Sequence, residues 1–84
     1  MTNFNTVNEL KDKSTATYIA MALNFLNEAE KLTAAEPELF IMKMAAREVK
    51  ECYTKARTAN CEFTAYANAH AAEVWLGKMT TGQF

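Results

Sequence analysis

The chain has 84 residues, half of them apolar, and a net charge of −1 from nine Lys and Arg against ten Asp and Glu. That length fits one domain with a small core. The charge balance argues against a generic basic nucleic-acid binder and against an acidic DNA mimic, which both act through a large single-sign field. No apolar run approaches the length of a membrane span. The opening MTNFNTVNEL lacks the basic and apolar regions of a signal peptide, so a cytoplasmic location is expected.

In chain order, residues 1–5 read as a short lead. Thr6 and Glu9 then have the spacing of a capping box, and Ser14 offers a second start. The first predicted helix covers about 7–32. Its apolar arc holds Tyr18, Ile19, Met21, Ala22, Leu23, Phe25, Leu26, Ala29 and Leu32, wide enough to touch two neighbours.

Thr33 and Glu36 again have capping-box spacing, and Pro37 suits a first helical turn. A second helix is therefore predicted over about 37–58. Its apolar arc is Ile41, Met42, Ala45, Ala46, Val49, Cys52, Tyr53 and Ala56, with Lys43, Arg47, Lys50, Thr54 and Arg57 opposite.

No glycine or proline falls between Pro37 and Gly77, so one long helix through 57–61 is conceivable. Asn60 favours a break near 58–60. The break gives an all-α three-helix bundle running up-down-up. The unbroken alternative is a hairpin that dimerises into a four-helix bundle.

The third predicted helix, about 61–76, is apolar nearly all round. One face carries Phe63, Tyr66, Ala67, His70, Ala71 and Val74, and another the small set Ala65, Ala69, Ala72 and Leu76. Such a helix is expected to be buried on more than one side. Gly77 suits the position just past its end, with Lys78 complementing the helix C-terminus and a loose tail over 77–84.

The interior is expected to be thin, because fifteen residues are alanines. The larger apolar contributors are Ile19, Leu23, Phe25, Leu26, Leu39, Phe40, Ile41, Val49, Phe63, Val74, Trp75 and Leu76.

Signs of chemistry are few. His70 is the sole histidine, and Glu62, Tyr66, His70 and Glu73 fall within about 80° on one helix. That set does not reproduce the paired Glu-x-x-His pattern of carboxylate metal sites. Tyr66 and His70 are read as core-edge residues with their polar tips satisfied, and both glutamates as solvated. Cys52 and Cys61 form no C-x-x-C and are read as reduced thiols. Neither pairs with His70 by spacing in the manner of a nucleophile and base. No phosphate loop is present. The expectation is no enzyme, no metal and no cofactor.

Surface charge is more informative. Residues 28–38 hold four glutamates and one lysine, net −3, and residues 43–57 hold five basic residues and two glutamates, net +3. Lys43, Arg47, Lys50 and Arg57 lie within about 80° of arc. Phe40 and Met44 adjoin them, and Trp75 lies off the main arc of the third helix. Arginine, methionine and aromatic side chains are over-used at protein interfaces.

These seven residues are the expected partner-binding set of a small non-enzymatic protein. It would bind an acidic surface on another protein as an inhibitor, adaptor or assembly factor. A phage or mobile-element protein acting on a host defence complex is a background expectation for this class, not a reading of residues. Two other roles fit the sequence. One is a homodimer or homo-oligomeric structural subunit that uses the alanine face of the third helix. The other, less favoured, is a nucleic-acid-associated regulator that uses the basic stripe.

Overall fold

The computed structural model describes residues 15–84, which form three helices: α1 (Thr15–Ala35), α2 (Phe40–Arg57) and α3 (Glu62–Thr81). The expected starts at Thr6 and Ser14 lie outside the described residues. Each helix packs against the other two, with no strand among the described residues. None of the three is long and apolar enough to cross a membrane.

The two core clusters fix the direction of the helices. Leu26 and Ala29 of α1 meet Met42, Ala45, Val49 and Cys52 of α2 and Ala72, Leu76 and Met79 of α3. Tyr18 and Ala22 meet Ala56, Ala65 and Ala69. Early α1 thus lies beside late α2 and early α3, so the arrangement is up-down-up as predicted.

Pro37 acts differently from the expectation. Proline disfavours helical geometry in the residue before it, and α1 ends at Ala35. The Leu39 N–H donates to the Glu36 carbonyl at 3.1 Å. Pro37 therefore occupies the second position of a β-turn, where its fixed φ fits. Thr33 caps nothing downstream. It stays in the last turn of α1, its hydroxyl donating to the Ala29 carbonyl at 2.9 Å. α2 begins at Phe40, after Leu39, without a side-chain cap.

The chain does break after Arg57, which removes the long-helix alternative. The Thr58 N–H donates to the Thr54 carbonyl at 3.1 Å and the Ala59 N–H to the Ala56 carbonyl at 3.2 Å, while the Thr58 hydroxyl donates to the Thr54 carbonyl at 3.0 Å. Hydroxyl groups that bond to backbone in this way compete with helix continuation. Cys61, not Asn60, is the residue flanking the start of α3, with extended backbone.

α3 runs past the expected end at residue 76. Gly77 is buried inside it, and the helix stops at Gly82, whose φ of +72° is the left-handed conformation that glycine adopts readily. The Gly82 N–H donates to the Lys78 carbonyl at 2.8 Å. The predicted tail over 77–84 is therefore largely helix. One glycine lowers helix propensity by about 1 kcal/mol without forcing an end.

The interior is built from alanine. Ala22, Ala29, Ala45, Ala56, Ala65, Ala69 and Ala72 are all buried, alongside Tyr18, Leu26, Met42, Val49, Cys52, Leu76 and Met79. Several large residues expected inside are instead exposed, namely Leu23, Leu39, Phe40, Ile41, Phe63 and Val74. Helix spacing depends on the side chains at the contact, and alanine contacts leave no room for these larger groups.

In α3 the small face is the buried one, and the Phe63–Val74 face points outward. A leucine at Ala69 would overfill this interface and cost about 1–3 kcal/mol. The same change at exposed Ala67 should alter stability by less than about 0.5 kcal/mol. Urea unfolding followed by circular dichroism measures both.

Candidate functional site

Successive turns of α2 expose Phe40, Lys43, Met44, Arg47 and Lys50 on the side away from Met42, Ala45, Val49 and Cys52. The core residues recur at helical spacing on one face, so the residues between them must face out. Phe40 is 71% exposed and Met44 48%. Leu39 and Ile41 extend the apolar patch. Ile41 was expected in the core arc but is exposed, while Met42 beside it enters the core.

Arg47 and Lys50, with Glu51, Thr54 and Lys55, line a shallow open groove. Lys43, Arg47 and Lys50 form ion pairs with none of the described residues. Between described residues, the ion pair made by a lysine or arginine is Lys31 with Glu28 at 3.6 Å, and His70 Nδ1 approaches Glu73 Oε1 to 4.0 Å.

Two members of the expected set are set apart from this group. Arg57 ends α2, and its guanidinium lies 5.8 Å from the centre of the Tyr53 ring. Trp75 is half-buried on α3 against the core, and the Lys78 ammonium lies 4.5 Å from its ring centre. Cation–π contacts of this kind occupy both groups within the protein.

A second group lies along α3. Tyr18 and Tyr66 meet edge to face at 5.6 Å between ring centres, and Tyr66 stacks on His70 at 6.3 Å. Exposed Phe63 leans on Tyr66 at 6.4 Å. Tyr66 and His70 lie at the core edge, as expected, but the expectation that their polar tips are satisfied fails at His70.

Glu73 is not solvated. It is fully buried, its Oε1 4.0 Å from His70 Nδ1. That nitrogen is itself buried and has no hydrogen-bond partner among the described residues. A buried carboxylate costs free energy unless it is paired, and Glu73 is the buried charged residue among those described. Glu62 is exposed, and the described residues contain no group of three or more His, Cys, Asp and Glu that could hold a metal.

The outer face of α3, with Phe63, Ala67 and Val74, is apolar and exposed. It continues into a groove lined by Val74, Gly77, Lys78, Thr81 and Gln83. The pattern of Phe63 and Val74 on one helical face was visible in the sequence. Its outward orientation was not, because Ala65 and Ala69 carry the same periodicity.

Comparison with family models, curated proteins and solved structures gives no match to this chain.

The two thiols differ in environment, Cys52 being buried and Cys61 exposed. The Cys61 sulfur lies 3.2 Å from the Thr64 hydroxyl, and hydrogen bonding to Thr64 holds its thiol below the ordinary range. Burial pushes the Cys52 thiol up. The thiolate is the reactive form, and a lowered pKa enlarges its fraction near neutral pH. Iodoacetamide at neutral pH should therefore label Cys61 first and Cys52 only slowly. Thr64→Val should slow labelling of Cys61, as read by mass spectrometry of the intact protein over time.

Proposed function

We propose that this protein is a non-catalytic helical module that docks on an acidic surface of another protein through the outer face of α2. The observation that carries this reading is the row Lys43, Arg47 and Lys50, exposed beside Phe40 and Met44 and ion-paired with none of the described residues. Cations left without intramolecular partners keep their charge available for a partner's carboxylates. The flanking apolar groups supply area that can be desolvated on contact. Arg57 and Trp75 serve at most as the margin of this surface, being engaged with Tyr53 and Lys78. An inhibitor, adaptor or assembly factor needs no more than such a face.

Charge reversal tests the proposal. Lys43→Glu with Arg47→Glu should leave the helical circular-dichroism spectrum unchanged, since neither side chain enters the core. Proteins from the native host that immobilised wild type retains, and that mass spectrometry identifies, should be lost from the double variant. Identical retained sets for both baits would sink the proposal.

A further inference from the structure

We infer that the occupant of this face is a helical segment of the partner protein that carries one carboxylate per turn along one side. The inference rests on the reading of this face as a docking surface and names the chemistry of what binds it.

At 100° per residue, Phe40, Lys43, Arg47, Lys50 and Thr54 fall within about 80° of arc, opposite the buried Ala45, Val49 and Ala56. Their positions advance by alternate steps of three and four residues, so they form one straight row down α2. Two helices that lie side by side meet along rows of this spacing. The three cations span about 10 Å of the axis at 1.5 Å per residue. Carboxylates at the same steps on a second helix have the same pitch, so each can stand against one cation. Lys43, Arg47 and Lys50 have no competing ion pair with a described residue.

Two groups beside the cations favour a protein over a phosphate chain. Glu51 lies about 40° around the helix from Arg47, in the shallow groove lined also by Lys50, Thr54 and Lys55. The Thr54 hydroxyl donates to the Lys50 carbonyl at 3.0 Å, which leaves its oxygen as an acceptor. A nucleic-acid strand laid along the row would set phosphate oxygens against both. A helix can change residue type at that turn and offer a lysine, arginine or amide instead. At the other end of the row Phe40, 71% exposed, suits an apolar side chain.

The alanine face of α3, on which a homodimer was expected, is no rival surface. Ala65, Ala69 and Ala72 are fully buried within the protomer.

Two synthetic peptides of about 20 residues, identical in composition and both stapled into helices, test the inference. In the first, three glutamates stand one per turn on one side, with leucine before them and lysine after. In the second the same residues are spread around the helix. Calorimetric titration of the purified full chain at low salt should give the first peptide a Kd at least about tenfold below that of the second. Lys43→Glu with Arg47→Glu should abolish that preference and bind instead a peptide whose row is lysine.

Equal affinity for the two peptides would overturn the inference, because net charge alone would then suffice. So would no binding of the first peptide up to about 1 mM, or tighter binding of a single-stranded oligonucleotide. A charge-reversed variant that still prefers the first peptide would overturn it as well. The host-protein comparison is independent of these peptides. If it succeeds while the peptides fail, α2 remains a docking face and its partner is not an acidic helix.

Discussion

Close contact between helices through alanine is the constraint on which the rest of the structure depends. Ala22, Ala29, Ala45, Ala56, Ala65, Ala69 and Ala72 are buried where the three helices meet. Alanine has no side-chain entropy to lose on packing and is the best helix former, so these positions favour both the helices and their approach. They bury little apolar area each, and Tyr18, Leu26, Val49, Leu76 and Met79 supply the bulk. The consequence is geometric. Helices held together by methyl groups have no pocket between them for Ile41, Phe63 or Val74, and these are displaced to the flanks.

That displacement explains what the sequence made legible and what it did not. The all-α class, the three helices and the break at 58–61 follow from periodicity and from Asn60 in a polar stretch. The face that α2 buries was also readable, because its apolar and charged residues separate cleanly at helical spacing. α3 gave no such contrast. Its two faces are both apolar, and size alone suggests burying the phenylalanine. Periodicity reports which residues share a face, not which face meets a neighbour. The choice was decided by how closely α1 and α2 approach.

The errors at helix ends share a different cause. Pro37 is compatible with a first helical turn and with the second position of a β-turn, and Gly77 with a helix end and with a helix interior. Local residue preference admits both in each case. The outcome depends on the neighbours. Glu36 is driven out of helical geometry by Pro37, and Gly82 offers a terminus five residues later with positive φ. Glu73 shows the same limit in side-chain terms. One glutamate on the flank of an apolar helix looks the same in sequence whether it meets water or the core.

Because alanine and a few larger residues build the interior without the outer face of α2, stability and recognition are carried by different residues. Lys43, Arg47 and Lys50 pair with no described residue, and Phe40 and Met44 are exposed. Their replacement opens no cavity among the fully buried residues and strands no buried charge. Surface positions of that kind usually change stability by less than about 0.5 kcal/mol. The face can therefore vary with whatever it binds while the fold stays fixed. α3 has no such freedom on its inner side, where Ala65, Ala69, Ala72 and Glu73 are fully buried. A bundle divided in this way resists change on one helix and tolerates it on another, as expected of a protein that acts by presenting a surface.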